Sequence, residues 1–229
     1  CQFTDRTDKS DILDGGTTID NHGDGIICSD GDDDSPFSGE YSLDYLMTYN
    51  PESADQQKAF ETWEAYRENL IATVARLMPK QKENFVNYID HLGSDAPDGP
   101  YEWQPGLPVN SLEAIQLDRE LPDNCYRVTG AGDKVLNAFQ MIRRKEVQSA
   151  ASKVFFQYDQ ERFRRWQTQN PQQFSYLVVH EWLWNFSITP WLNYTLNAEL
   201  HSRRTDEWSS RLFTQRLNEL GMGYDIAGN

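Results

Sequence analysis

Apolar side chains recur every three or four residues in several parts of the chain, and this period predicts amphipathic helices. The predicted helices lie at 42–49, 53–78, 79–92, around 163–166, at 171–186 and at 206–220. Proline marks several boundaries: Pro51 ends the first helix, Pro79 and Pro171 open later ones, and Pro190 interrupts the chain between 185 and 197. A proline suits the first helical turn because its missing N–H would have no partner there.

Alternating apolar and polar residues predict short strands at 25–28, 112–117, 126–129 and 154–158. The stretch 134–148 fits a helix or a strand, and both interpretations stay open. The segment 94–110 is rich in Pro, Gly and Asp and is predicted to be a loop. These elements together predict an α+β domain with a small, mostly antiparallel sheet covered by helices.

Residues 1–18 are polar and are predicted to form a disordered tether, whereas 19–229 is predicted to be a single globular domain. A cysteine at the head of such a tether is typical of a mature bacterial lipoprotein. Cys1 is therefore the expected lipid attachment site, and the alternative is an unmodified cysteine. Lipidation implies an exported protein, periplasmic or anchored to the outer membrane, that contacts the membrane through that lipid.

The formal net charge of −15 changes the range of expected partners. It argues against nucleic acid, because no basic stripe is available to neutralise phosphates. It also argues against docking on anionic lipid by charge. The expected partner is therefore a protein or a component of the cell wall, in addition to the membrane that holds the lipid.

Two cysteines remain, Cys28 and Cys125, and two cysteines in an exported chain most often form a disulfide. Both stand next to predicted strands, so a bridge would join the N-terminal strand to the body of the domain. The alternative is a pair of unrelated buried thiols. We expect the disulfide.

The segment around His180-Glu181 is the one place where the sequence suggests catalysis. In zincin metallopeptidases, a helix that follows an edge strand carries two zinc-binding histidines one turn apart, and the glutamate after the first activates water. The order of predicted strand, short helix and His-Glu helix resembles that arrangement. Trp184, however, stands where the second histidine belongs, and tryptophan cannot bind zinc.

A zinc site could still be completed from downstream residues, with His180, His201 and Glu199 as ligands and Glu181 as the general base. The competing hypothesis is structural. His180 would then be a buried histidine bonded to a backbone carbonyl, Glu181 would pair with Arg203 or Arg204, and a Glu181→Gln change would lower stability. Zinc is the one candidate cofactor.

Calcium is not expected, although the sequence from Asp20 to Ile27 partly imitates an EF-hand loop. His22 stands where an oxygen ligand is needed, and no glutamate closes the loop at its twelfth position. The run Asp30, Asp32, Asp33 and Asp34 could bind a hard cation weakly, but a solvated acidic turn explains it better.

Four short blocks resemble a family of exported proteins of unknown function from predatory bacteria related to Bdellovibrio. The blocks are Gly23-Asp-Gly-Ile-Ile-Cys28 with the Ser42-Leu-Asp-Tyr-Leu46 helix, Leu121-Pro-Asp-Asn-Cys125, Val178-Val-His-Glu181 and Ser202-Arg-Arg-Thr205. The resemblance implies an envelope or secreted setting, paired cysteines, and a His-Glu helix followed one turn later by an aromatic residue. His201 departs from the pattern, in which an acidic residue is common before the last block.

The function predicted from the sequence is that of an exported lipoprotein acting as a non-catalytic binding or structural module of the cell envelope. The alternative is an atypical, peptidase-like zinc hydrolase centred on His180 and Glu181. The two differ in what they require of these side chains: a hydrolase needs both of them to face an open cleft, whereas the module allows both to be buried.

Overall fold

A five-stranded mixed sheet and the helices packed on it make up most of the computed structural model, which describes residues 22–30, 35–94, 100–106, 120–146, 153–186 and 189–221. The strands are β1 (His22–Cys28), β2 (Gly39–Ser42), β3 (Tyr101–Pro105), β4 (Tyr126–Val128), β5 (Lys134–Leu136), β6 (Ala138–Glu146) and β7 (Val154–Tyr158). The helices are α1 (Leu43–Thr48), α2 (Trp63–Leu77), α3 (Lys82–Asp90), α4 (Gln160–Gln169), α5 (Pro171–Leu183), α6 (Pro190–His201) and α7 (Ser210–Glu219).

The large sheet has the strand order β2-β1-β6-β7-β3, and only the β3–β7 pair is parallel. The remaining two strands, β4 and β5, form a separate antiparallel hairpin whose turn contains Gly132 at a positive φ. The predicted α+β class and the mostly antiparallel sheet are therefore confirmed. The zincin-like order is not: α5 does follow β7 and α4, but β7 is an inner strand, flanked by β6 and β3, and not an edge strand.

Helix α5 is the central helix of the domain. Every residue from Gln173 to Leu183 is buried, and the helix packs against β1, β2, α1, α2, α4 and α6. A helix that is apolar around its whole circumference is expected in such a position. The surrounding core is rich in aromatic rings: Trp103, Trp166 and α5's own Trp182 are among the largest fully buried side chains.

Several predicted elements are wrong in their bounds or type. The predicted helix 53–78 is a 3-10 turn over Pro51–Gln56 followed by α2, which starts only at Trp63, where the Thr62 hydroxyl caps it by accepting from the Ala65 N–H. The predicted loop 94–110 contains β3. The open stretch 134–148 contains the two strands β5 and β6.

The last two helices also differ from the prediction. The expected break around Pro190 is instead the start of α6, with Thr189 as N-cap and Pro190 in the first turn. The predicted helix 206–220 is α7, preceded by a 3-10 turn over Arg203–Glu207. The predicted strand 112–117 and the tether 1–18 lie outside the described residues. Within the described ranges, no helix is both long enough and apolar enough to span a bilayer.

The predicted cysteine pairing is confirmed, because Cys28 and Cys125 form a disulfide. It joins the last residue of β1 to the turn before β4, and both sulfur-bearing residues are buried. Asn124 supports the same junction, since its side-chain amide donates to the carbonyl oxygens of Ser29 and Phe37 at 2.7 Å each. A second, smaller apolar cluster surrounds the bridge.

Candidate functional site

The His-Glu segment lies in the second half of α5, enclosed by α1, α6 and the sheet. His180 retains 5% of its exposure and Glu181 none. Helix α1 contributes Asp44, β1 contributes Gly23 and Asp24, and β6 contributes Arg144. We call Asp24, Asp44, Arg144, His180 and Glu181 the buried charge cluster.

Both ring nitrogens of His180 are engaged. Nδ1 lies 2.7 Å from Oδ1 of Asp44, and Nε2 accepts the indole N–H of Trp184 at 2.9 Å. Because an indole can only donate, this bond requires an unprotonated Nε2 and places the ring proton on Nδ1, facing Asp44. Trp184 thus occupies the nitrogen that a metal would need. The structural hypothesis predicted a buried His180, and this part is confirmed. The hydrogen-bond partner of its ring, however, is a carboxylate and not a backbone carbonyl.

Two opposing influences act on the protonation of His180. Burial alone would lower its pKa, but the negative charges of Asp44, Glu181 and Asp24 outweigh this and raise the pKa to about 9. The Trp184 indole opposes protonation, since an added proton on Nε2 would face another N–H. Asp44 is therefore the group that decides whether a charged His180 is tolerated in the core.

Helix α6 is fastened to α5 by two asparagines one turn apart, Asn193 and Asn197, both fully buried. The amide of Asn193 donates to the His180 carbonyl at 3.0 Å. The amide of Asn197 donates to the Tyr176 carbonyl at 2.7 Å and to Oδ2 of Asp44 at 2.5 Å. Asp44 thus accepts from both helices, and the pair of asparagines is a structural feature that the sequence analysis missed.

The carboxyl group of Glu181 is buried without a well-formed hydrogen bond to either oxygen. Its nearest backbone donor is Gly23, and the guanidinium of Arg144 donates to the Glu181 main-chain carbonyl, not to the side chain. Burial raises the pKa of Glu181 to about 7, although His180 and Arg144 lower it in part. The expected pairing with Arg203 or Arg204 is wrong, because both arginines are exposed at the surface.

The other two candidate zinc ligands have partners of their own. His201 is buried in α6, with Nδ1 at 2.8 Å from the Asn197 carbonyl and Nε2 at 2.9 Å from the Ser175 hydroxyl. Burial lowers the pKa of His201 to about 3. Glu199 accepts from Arg216 at 3.2 Å.

No group of three His, Cys, Asp or Glu side chains able to hold a metal occurs in the part of the chain that the structure describes. A zinc site at His180, His201 and Glu199 would therefore require each histidine to give up the present partner of one ring nitrogen: Asp44 or Trp184 for His180, and Ser175 or the Asn197 carbonyl for His201. In the stretch that imitates a calcium loop, Asp20 and Asn21 lie outside the described residues, and the rest, from His22 to Ile27, belongs to β1.

A Glu181→Gln variant is expected to be more stable than the wild type at pH 8 and nearly equal to it at pH 4.5. The folded pKa of Glu181 lies above its unfolded value, so its ionisation destabilises the folded state as pH rises from about 4.5 to 7. A shift of this size corresponds to about 3 kcal/mol. Denaturant unfolding at the two pH values measures the difference, in which the effects of His180 and His201 largely cancel.

This expectation reverses the loss of stability that the structural hypothesis predicted for the same substitution. Glutamine is uncharged, so the variant no longer buries a Glu181 carboxylate near Asp44, whose charge raises the pKa of Glu181 further. If Glu181→Gln lost as much stability between pH 4.5 and pH 8 as the wild type does, this result would contradict the cost assigned to burying the ionised Glu181 carboxylate.

A Gly23→Ala variant tests how closely α5 packs against β1 at Glu181 and Leu177. The added methyl would lie 2.8 Å from Oε1 of Glu181 and from Cδ1 of Leu177, and 3.2 Å from Cβ of Ile142. Overpacking of this kind is expected to lower the free energy of unfolding by about 1–3 kcal/mol. Gly130→Ala is the matched control, because its methyl would meet nothing within 4 Å. Equal stabilities of the two variants would contradict the close packing of these two side chains against β1.

The chain matches no protein-family model, no curated protein and no solved structure.

Proposed function

We propose that this protein is a non-catalytic, disulfide-stabilised module of the bacterial cell envelope, held there by a lipid on Cys1, and that it acts by binding. The observation that carries the non-catalytic part is the state of the His-Glu pair. Glu181 is completely buried against Gly23, and both ring nitrogens of His180 are bonded within the core.

Catalysis by these residues would place different demands on them. A general base must come within hydrogen-bond reach of the proton it abstracts, and a catalytic zinc keeps one coordination position open to water. Here the two side chains connect α5 to α1 and β1. Their chemistry supports a role in the packing of the domain.

The exported setting rests on the disulfide between Cys28 and Cys125. Disulfides persist in oxidising compartments and are rare in the reducing cytosol. The resemblance to exported proteins of predatory bacteria agrees with this setting. Cys1 lies outside the described residues, so the lipid on it stays a proposal.

Cell fractionation tests the envelope assignment. The protein is produced from its complete natural coding sequence in a bacterial host that is fed a clickable palmitate analogue, beside a Cys1→Ser variant. We expect the wild type to carry the label and to sediment with the envelope, and the variant to be unlabelled and released with the periplasm. An unlabelled wild type in the soluble fraction would refute the lipid-anchored part.

Metal analysis separates the module from the zinc hydrolase. Elemental mass spectrometry is applied to the wild type, purified without chelator or histidine tag, and to His180→Ala. His91→Ala is the matched control, because the bond assigned to the His91 ring is to the Asn87 carbonyl. If the protein is a non-catalytic module, the wild type and both variants should contain the same trace of zinc. Near-stoichiometric zinc that is lost in His180→Ala and kept in His91→Ala would overturn it in favour of the hydrolase.

A further inference from the structure

A groove of about 330 Å³ lies beside α7. Its lining residues are Arg204, Trp208, Leu212, Gln215, Arg216 and Glu219. Those that belong to α7 recur at three- or four-residue spacing, so they share one face of the helix. A helix rises about 1.5 Å per residue, so this face extends over about 10 Å from Leu212 to Glu219. Ligand sites occupy roughly 300–1,000 Å³, so the groove has room for a short, extended ligand.

Both walls of the groove are held by the core. One wall includes the 3-10 turn before α7, and Arg76 of α2 fixes this turn by donating to the Thr205 carbonyl at 2.6 Å and to the Trp208 carbonyl. The other wall is α7, which is anchored by the buried side chains of Phe213 and Leu217. A site whose shape is fixed before binding loses little conformational entropy when a ligand enters it.

Part of the groove is apolar. Trp208 is partly buried, and its ring centroid lies 6.4 Å from that of the buried Phe213. Leu212 is 50% exposed, which makes it one of the most exposed large apolar side chains in the described ranges. A single exposed leucine is ordinary, but a leucine and a tryptophan that line the same groove offer a surface on which an apolar group can pack.

The two arginines of the groove differ in what neutralises them. Arg216 donates to Glu199 at 3.2 Å and to Glu219 at 3.4 Å, so its charge is compensated. The Arg204 guanidinium has neither an ion pair nor a hydrogen bond to another described residue, although the whole chain has a formal net charge of −15. A guanidinium can bind a carboxylate through two parallel N–H bonds. The groove therefore suits a ligand with a single negative charge better than a doubly charged phosphate.

We propose that this groove binds the carboxylate end of a short peptide whose last side chain is apolar. The inference rests on the proposed binding function and gives its ligand a chemical class. The terminal carboxylate pairs with Arg204, and the last side chain packs on Trp208 and Leu212. Each preceding peptide group has a donor and an acceptor, for which the Glu219 carboxylate and the Gln215 amide are matching partners. A protein C-terminus and a cell-wall peptide both present this chemistry.

An NMR titration of the full, disulfide-bonded chain tests the proposal. The probe is N-acetylalanylphenylalanine, and the control probe is its C-terminal amide, which has nearly the same shape but no charge. The reporter is the indole N–H signal of Trp208, which the spectrum of a Trp208→Phe variant assigns. We expect a saturable shift with the acid and a dissociation constant of about 1 mM. The amide should bind about fivefold more weakly, as expected for the loss of one exposed charge pair.

Three variants separate the charge of the groove from its apolar part. Arg204→Gln should weaken binding of the acid about fivefold and leave binding of the amide unchanged, so the preference for the acid disappears. Leu212→Ser should weaken binding of both probes alike, because it removes apolar contact area. Arg211→Gln is the matched control, because Arg211 is an exposed arginine of α7 that does not line the groove. It should bind both probes like the wild type.

The configuration of the last residue distinguishes the two sources of such a peptide. Cell-wall peptides end in D-amino acids, whereas proteins end in L-amino acids. Tighter binding of the probe that ends in D-phenylalanine would identify the ligand as a cell-wall peptide. Tighter binding of the L form would identify it as a protein C-terminus.

Three results would overturn the peptide-binding proposal: no saturable shift with the acid, equal affinity for the acid and the amide, or equal losses in Arg204→Gln and Arg211→Gln. The first, together with a dimer that Arg204→Gln dissociates, would assign the groove to a second copy of the chain. The titration uses purified protein in solution, so its outcome does not depend on a lipid on Cys1 or on the compartment. Failure here is therefore distinguishable from failure of the envelope assignment, which fractionation decides.

Discussion

Replacing Asp44 with asparagine is expected to lower the free energy of unfolding at pH 7 by about 3–5 kcal/mol, the range for removing one partner of a buried ion pair. Asp44 is 2% exposed and accepts from His180 on one oxygen and from Asn197 on the other. An asparagine can accept on one side only. Whichever way its amide turns, an NH₂ group faces the N–H of His180 or of Asn197.

The loss of charge adds to this mismatch. Asp44 raises the pKa of His180 above its usual value, so removing it takes away the stabilisation of a buried imidazolium. A raised folded pKa contributes stability that is present below the unfolded value of about 6.5 and is lost as pH rises towards about 9. The damage from Asp44→Asn should therefore be greatest at pH 6 and smaller at pH 9.5.

Urea unfolding followed by circular dichroism measures the Asp44→Asn effect as a lower midpoint at an unchanged m value. Asp123→Asn is the control: Asp123 bonds to Lys134 at 2.6 Å, but its side chain is 94% exposed, so no measurable change is expected. A loss below about 1 kcal/mol for Asp44→Asn, or a loss that does not vary with pH, would mean that the Asp44–His180 pair is not central to the fold.

The elements that could be predicted from the sequence are those with a strong local signal. Helix α5 carries a long run of large apolar residues and opens at Pro171, and four of the five residues of β7 are strand formers. Helix α6 is not predicted from the sequence because a proline inside an apolar stretch usually interrupts a helix, although Thr189-Pro190 has the residue types of an N-cap and a first helical turn. The start of α2 was placed too early because its apolar period extends beyond the helix, which the Thr62 cap begins.

The candidate site was located by the sequence but not explained by it. His180 and Glu181 are indeed central, and the tryptophan one turn later is a partner of His180, as the spacing allows. Asp44, however, stands 136 residues before His180, and Gly23 and Arg144 come from two further strands. Contacts between such distant positions depend on the strand order, which periodicity does not reveal.

The residues around the second half of α5 come from three distant parts of the sequence. Gly23 and Asp24 lie in β1, Asp44 lies in α1, and the structure brings them to His180 and Glu181. What they share at this site is the accommodation of polar and ionisable groups in an otherwise largely apolar core.

Removing the disulfide is the other change with a large expected effect. The double variant Cys28→Ala, Cys125→Ala is expected to have a free energy of unfolding about 4 kcal/mol lower than that of the wild type, because the bridge closes a loop with a sequence separation of 97. Alanine is the better replacement, since serine would bury two hydroxyl groups among the apolar neighbours of the bridge. Thermal unfolding with and without reductant measures the effect.

Cys1→Ala is the matched control, because it removes a cysteine and leaves the bridge intact; its stability should equal that of the wild type, and reductant should destabilise both. Reductant should have no effect on the double variant. The hydrogen bonds from Asn124 to Ser29 and Phe37 remain in all of these proteins, so they cannot account for a difference. A double variant as stable as the wild type would show that the body of the domain does not depend on the bridge.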